Sequence, residues 1–357
     1  MGTRSWLSRP FVGLVSVVVI GGAVAAGMVA AERLTPDFGV ADLAQLAPAN
    51  VSSIDVTNWS ALRDRLGAGG DDVVEQAATR DLATRSTLVS SGDVVADGLG
   101  WSPRTVRWEA FVQTTAGSAL FLGLPESRDV TSERMRDLGY VQDGDEWTIE
   151  LSDLRAGGVS TPETFQHARL LDGGVVVASS ELEVVERLGD VAEGRSPSLA
   201  DDPTALRAWA QAVDLDAFSL QSGSAGCAST DPAESGPDIA AQAAVAVEAA
   251  GTLEPYRWLV RGLGAGEQDP TEPGTGDSGD RFEVALAFDS APVAAGQAEV
   301  RARLATGPFI GQTGTVEESI VLTRHRVDGD VAVLEFDRQA GAASLMSFIG
   351  PLVLASC

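Results

Sequence analysis

The chain has 357 residues, a formal net charge of −26 and 44% hydrophobic residues. This length is enough for about two ordinary domains or one large one, and the hydrophobic content is enough for a buried core. The strong negative charge repels nucleic acid and other anionic polymers, so we expect no nucleic-acid partner.

The N-terminal region contains an uncharged, apolar run from Phe11 to Ala31. A helix of this length is about 30 Å long, which matches the thickness of a bilayer core. Arg4 and Arg9 precede the run, and the positive-inside rule then keeps residues 1–10 in the cytoplasm. We therefore expect a transmembrane helix that anchors a single-pass protein in the lipid bilayer of the cell membrane, with the bulk of the chain extracytoplasmic.

A cleaved signal peptide is the alternative explanation of this run, and the protein would then be secreted. The small residues Ala23, Val24 and Ala25 could serve as the cleavage site. The sequence stays apolar for six residues beyond Ala25, which is longer than a signal peptide needs. The uncleaved anchor is preferred, and residues 32–48 are expected to form a short tether outside the membrane.

The next part of the chain, residues 49–222, alternates between helix and strand signals. A first strand is predicted near residues 51–56, and two more lie within residues 106–124. A helix follows and stops at Gly139. The dipeptide Asp-Gly supports the positive φ of a tight turn, and it occurs at 143–144 and 172–173 in predicted hairpins.

Two helix starts are predicted near the end of this half. Ser180 and Glu183 have the spacing of a capping box, in which the two side chains satisfy free backbone N–H groups. Asp202 precedes Pro203, a combination typical of a helix N-terminus. Residues 223–237 are rich in Ser, Gly and Pro and are predicted to form a loop.

The second half, residues 238–357, begins with an Ala-rich helix that ends at Gly251. Residues 264–280 are of low complexity and are predicted to be a mobile loop. In residues 282–289 apolar and other side chains alternate, which predicts a strand with one face towards the core. A helix and a hairpin that turns at Asp328 and Gly329 follow.

Helices therefore alternate with antiparallel hairpins, which predicts an α+β fold with mixed or antiparallel sheets and packed helices. Residues 106–191 and 282–349 share an order of strand, helix, hairpin and helix. This shared order suggests an internal repeat, and two ferredoxin-like layers are the detailed arrangement that we expect.

The sequence contains two cysteines, Cys227 and Cys357. An even number of cysteines in an exported chain indicates a disulfide. This bridge would tie the C-terminal residue to the middle of the chain. The alternative is a pair of buried or free thiols.

None of the candidate catalytic and metal-binding motifs in the sequence has all the residues that its chemistry requires. Ser278 lies in a Gly-Asp-Ser-Gly run, but a serine nucleophile needs a histidine base, and His167 and His325 do not lie in the matching motif. Two histidines without cysteine or paired carboxylates make a poor zinc site. Residues 143–146 and 201–202 are acidic but lack calcium-binding spacing. We expect no catalytic, cofactor-binding or metal-binding residues.

Four tryptophans lie in the first half of the exported region, namely Trp59, Trp101, Trp108 and Trp147. These side chains either line an apolar pocket for a lipid or glycan or pack in the core. Core packing is the commoner role of buried aromatic residues and is preferred.

Several short motifs resemble those of an uncharacterised family of membrane-anchored extracytoplasmic proteins from high-GC bacteria. They are the runs at residues 99–103, 106–109, 138–140 and 198–200 and the C-terminal Ala-Ser-Cys. The resemblance covers about residues 50–357. It implies an envelope location and a shared fold, and it supports the pairing of Cys227 with Cys357. It implies no activity.

The function we expect is that of a non-catalytic binding or scaffold protein of the cell envelope, with another envelope protein as partner. The first alternative is a carrier or sensor with an internal pocket for an apolar small molecule. The second alternative is an unrecognised hydrolase. A carrier needs a sizeable apolar cavity, a hydrolase needs converging ionisable groups, and a scaffold needs an exposed apolar patch.

Overall fold

The computed structural model describes residues 39–357, except residues 68, 92, 157–158, 160–161, 267–276, 340–341, 343 and 347–351. The predicted cytoplasmic tail, residues 1–10, and the predicted anchor, Phe11 to Ala31, lie outside the described residues. No helix within the described part of the chain is long and apolar enough to cross a membrane.

The strands of the described residues form one twelve-stranded sheet in which every neighbouring pair is antiparallel. They are β1 Val51–Thr57, β2 Trp108–Thr114, β3 Gly117–Gly123, β4 Val141–Asp143, β5 Glu146–Thr148, β6 His167–Leu171, β7 Val175–Ser179, β8 Ala217–Ser222, β9 Trp258–Gly264, β10 Asp277–Ala287, β11 Ile320–Asp328 and β12 Val331–Gln339. Their spatial order is β11-β12-β10-β9-β8-β1-β2-β3-β7-β6-β5-β4.

The α-helices connect these strands and cover both faces of the sheet. They are α1 Leu43–Leu46, α2 Trp59–Leu66, α3 Asp71–Thr79, α4 Thr87–Ser91, α5 Asp93–Leu99, α6 Arg128–Leu138, α7 Leu151–Ala156, α8 Leu182–Ala192, α9 Pro203–Ala212, α10 Gly223–Thr230, α11 Pro237–Ala250 and α12 Ala291–Leu304. The predicted α+β class is confirmed, and the sheet is antiparallel rather than mixed.

Two cores lie on the two faces of the sheet. Helices α1, α8 and α9 supply the helical part of one core, and α2 to α7, α11 and α12 supply that of the other. The prediction that β10 has one solvent-facing side is wrong. Val284 and Leu286 are buried on one face and Ala285 and Ala287 on the other, because helices cover both faces.

The sheet contains a repeated order of strands, although not over the two segments, residues 106–191 and 282–349, that the sequence suggested. Strands β2, β3, β7 and β6 lie side by side in that order, and β9, β10, β12 and β11 repeat it. In each unit a helix, α6 or α12, follows the second strand on the same face of the sheet. The described strands do not support two ferredoxin-like layers, because both units join one sheet through the central β8–β1 pair.

Three segments that were predicted to be irregular contain regular structure. The expected tether, residues 32–48, contains α1, whose Leu43 and Leu46 are buried in the core beside α8. The expected loop 223–237 contains α10, which follows Ser222 in extended conformation. Of the expected mobile loop 264–280, the described part continues β9 and begins β10. In each case tertiary packing overrides a weak local preference.

All but one of the following local signals with a defined geometry were predicted correctly. Gly139 ends α6 in the left-handed region, and the Asp-Gly turns place Gly144, Gly173 and Gly329 at φ of 61°, 71° and 60°. Asp202 accepts hydrogen bonds from the first backbone N–H groups of α9. The capping box at Ser180 is wrong, since α8 begins after Glu181 with no side-chain cap.

Candidate functional site

An apolar groove lies between α11, the end of α12, residues 305–316 and the C-terminal residues 352–354. Its volume is about 540 Å³. The apolar side chains that line it include Val245, Leu304, Phe309, Ile310, Val316 and Val353. This volume lies within the range of about 300–1,000 Å³ that is common for small-molecule sites.

The composition of α11 explains one wall of the groove. This helix contains seven alanines, and only Ala243 and Ala250 are buried. Small side chains fill little space against a neighbouring element, so they leave a furrow where larger residues would close it. Val245 is 68% exposed on the same helix. The helix therefore presents an apolar face that the described residues do not cover.

The disulfide holds the opposite wall in place. Cys227 of α10 is bonded to Cys357, and their Cα atoms are 5.4 Å apart, as the sequence predicted. Thr230 of α10 donates a hydrogen bond to the backbone oxygen of Ala355 over 3.1 Å, and Ser356 donates one to the backbone oxygen of Thr230 over 2.7 Å. The C-terminal residues are thus fixed on α10 by covalent and hydrogen bonds together.

Arg301 of α12 fixes the same wall from the other side. Its Nη1 donates to the backbone oxygens of Leu354 and Ser356, each over 2.8 Å, and its Nη2 donates to that of Glu254 over 3.0 Å. Burial lowers the pKa of Arg301 to about 10. Carbonyl oxygens that a short C-terminal segment would otherwise leave unpaired are satisfied by one buried guanidinium.

The polar groups of the groove are few. Arg303, Gln242 and Thr306 are among its lining residues, and Arg303 is the one ionisable side chain among them. Arg303 donates from Nε to the backbone oxygen of Ala250 at the end of α11 over 2.8 Å. Thr306 donates its hydroxyl hydrogen to the backbone oxygen of Arg303. The described lining can hold an apolar ligand with limited polar contact, and it presents no nucleophile with an adjacent base.

The tryptophans singled out in the sequence are buried in the cores. Trp59, Trp101, Trp108 and Trp147 are each at most 2% exposed, and none of them lines the groove. Trp59 donates from Nε1 to the carboxylate of Glu109 over 2.8 Å. The prediction that these four tryptophans pack in the core is confirmed.

The structure does not bring the two histidines together. His167 lies on β6 with Nδ1 3.1 Å from the hydroxyl oxygen of Thr148, and His325 lies on the edge strand β11 beside Glu299. Within the described ranges, no group of three or more His, Cys, Asp or Glu side chains could hold a metal ion. The Gly-Asp-Ser-Gly run begins in residues outside the described ranges and enters β10 at Asp277.

Sequence reasoning missed a set of buried charged residues. Burial raises the pKa of the Glu109 carboxyl, which accepts hydrogen bonds from Trp59 and from the first backbone N–H groups of α4. Arg261 on β9 is 2% exposed, and burial lowers its pKa to about 10. The sequence signal that could have revealed these residues is a charged residue inside an otherwise apolar strand, such as Arg261 in Trp258–Gly264.

Comparisons with protein-family models, with curated proteins and with solved structures give no match to this chain.

Proposed function

We propose that this protein is a non-catalytic carrier or sensor that binds an apolar small molecule in the groove between α11 and α12. The observation that carries the proposal is the 540 Å³ opening with mostly apolar walls. An apolar molecule that enters the groove removes its own surface and that of the walls from water, at roughly 25 cal/mol per Å². This was the first alternative from the sequence, and the geometry favours it over the scaffold.

The distribution of exposed apolar residues gives less support to a scaffold. Outside the groove, the large exposed apolar side chains are spread over several elements, such as Val89 on α4, Val141 on β4 and Val327 on β11. Scattered exposed residues of this kind are normal on soluble proteins, whereas a docking surface needs a contiguous patch. The hydrolase alternative needs converging ionisable groups, and among the described lining residues of the groove Arg303 is the single ionisable one.

The test is a fluorescence titration of the full-length chain with N-phenyl-1-naphthylamine, an uncharged apolar probe. Ala249 lines the groove, and Ala244 lies on the same helix outside it; both are exposed. Ala249→Trp fills the groove and should weaken probe binding at least about tenfold, the effect of about 1.4 kcal/mol. Ala244→Trp should bind as the unsubstituted protein does. Equal binding by all three proteins, or no binding by any, would contradict the proposal.

We also propose that residues 11–31 anchor this protein in the membrane with the folded region outside the cytoplasm. The uncharged run in the sequence and the Cys227–Cys357 disulfide support this location, because disulfides persist in oxidising compartments. The family resemblance points to the same location. Cell fractionation with thiol labelling tests it, and protein found in the cytosol with both thiols reduced would refute it.

A further inference from the structure

A row of polar residues crosses the centre of the sheet on the face covered by α2 to α5 and α10 to α12. The strand register pairs Asp55 of β1 with Ser219 of β8, and Ser219 with Arg261 of β9. Side chains that are directly opposite on antiparallel strands lie on the same face with Cβ atoms about 5 Å apart. The three side chains therefore form one cluster at the β8–β1 pair, where the two repeat units meet.

The members of this cluster are buried, but their polar atoms are not satisfied. Arg261, Ser219 and Asp55 are 2%, 1% and 8% exposed. Nε and Nη1 of Arg261, the hydroxyl of Ser219 and Oδ1 of Asp55 have no hydrogen-bond partner among the described residues. Buried polar groups in folded proteins almost always have partners, and a buried guanidinium remains charged. Something other than these side chains must complete the cluster.

A second arginine adds positive charge at the same place. Arg85 lies with Nη1 3.6 Å from Oδ2 of Asp55, and its charge acts on Arg261 as well. The side chain of Arg85 is 29% exposed, so it links the buried cluster to solvent. Two guanidinium groups thus share a single carboxylate, and the free donors of Arg261 and Ser219 outnumber the one free acceptor atom of Asp55.

We propose that this cluster is a binding site for a small oxyanion, such as a carboxylate or phosphate group, held by Arg261, Ser219 and Arg85. An oxyanion supplies the acceptor atoms that the free donors lack and balances the excess positive charge. Hydrogen bonds between guanidinium groups and oxyanions are charge-assisted and stronger than those between neutral groups. The site is separate from the groove and does not depend on the function proposed there.

The test measures the thermal unfolding midpoint of the full-length chain against increasing acetate and, separately, inorganic phosphate. Sodium chloride keeps the ionic strength constant, so that general screening of the acidic surface does not change. Binding to the folded state raises the midpoint as the ligand concentration passes the dissociation constant. We expect one of the two anions to raise it above the chloride control, and the anion that does so identifies the chemical class.

Substitutions locate the effect. Arg261→Met should weaken anion binding at least about tenfold, whereas Arg187→Met on the surface of α8, where Arg187 is ion-paired with Glu183, should leave it unchanged. If Arg261→Met does not fold, Ser219→Ala and Arg85→Met serve in its place, each with weaker binding expected.

Three results would overturn the proposal. They are no anion effect above chloride, an unchanged response in these variants, or a crystal structure grown with the anion that shows only water at Arg261.

Discussion

Glu283 on β10 is a buried acid whose surroundings oppose its ionisation. It is 2% exposed, its Oε1 has no hydrogen-bond partner among the described residues, and the strand register places it opposite Glu335. Burial raises the pKa of Glu283 to about 7, because it outweighs the nearby charges of Arg281, Arg326 and Arg324, which lower this pKa, while the charge of Glu335 raises it further. Glu335 itself is paired with Arg324 and Arg326. The Glu283 carboxyl should therefore reduce the stability of the folded state when it is charged.

The sign of the pH dependence follows from the raised pKa. Between the ordinary glutamate pKa of about 4.3 and a pKa of about 7, the folded state binds more protons than the unfolded state, so stability falls as pH rises. Glu283→Gln removes this loss. It should be more stable than the parent protein by about 1–3 kcal/mol at pH 8 and gain little at pH 4.

Urea unfolding at the two pH values measures this difference, with Glu133→Gln on the exposed side of α6 as the control. A gain for Glu283→Gln that is the same at both pH values would contradict the assignment.

At the scale of residues, local geometry was predictable and long-range pairing was not. Gly139 and the Asp-Gly turns follow from preferences of φ that neighbouring residues share. The ion pair between Arg80 and Asp280 joins residues that are 200 positions apart. The Asp81 carboxylate accepts hydrogen bonds from the backbone N–H groups of Leu345 and Met346, which are 264 and 265 positions away. The tertiary fold brings such partners together, so no local pattern in the sequence reveals them.

At the scale of elements, the C-terminal segment joins the disulfide to the groove. Residues 352–354 line the groove, while Cys357 is bonded to α10 and Arg301 holds the intervening carbonyl oxygens. The disulfide was predictable, because the chain, which we expect to be exported, contains an even number of cysteines. The groove was not, because it arises where the Ala-rich α11 faces a segment far away in the sequence.

Removal of the disulfide should therefore affect both stability and binding. Cys227→Ala with Cys357→Ala should lower the free energy of unfolding by about 2–5 kcal/mol, since the unfolded chain loses the closure of a long loop. It should also weaken N-phenyl-1-naphthylamine binding, because one wall of the groove is no longer fixed.

Denaturant unfolding and probe titration of the double variant measure the two effects. Reduction of the parent protein with dithiothreitol should reproduce both. Full probe affinity without the disulfide would show that the C-terminal wall is not part of the site.

At the scale of the whole molecule, the sheet runs through the predicted boundary between the two halves. Strand β8 belongs to residues 49–222 and β9 to residues 238–357, and they pair from Ala217 to Ser222. The sequence predicted the α+β class because helices and hairpins each have their own local pattern. It did not predict one sheet, because the pairing of β8 with β1 and β9 depends on contacts between distant segments.

This continuity predicts that the halves are not independent. Residues 49–222 and 238–357, expressed as separate chains, should each be insoluble or unfolded, because β8 and β9 would expose unpaired backbone groups and apolar side chains. The intact chain should unfold in a single transition. Circular dichroism during thermal unfolding tests both statements, and two separately folded halves with independent transitions would refute them.

The central claim is that the groove between α11 and α12 receives an apolar ligand, and methyl NMR of the full-length chain tests it most directly. Ile310 lines the groove, whereas Ile54 and Ile149 are buried in the two cores and are not among its lining residues. On addition of N-phenyl-1-naphthylamine, the δ1 methyl signal of Ile310 should shift saturably while those of Ile54 and Ile149 stay in place. An unchanged Ile310 signal at saturating probe would contradict the claim.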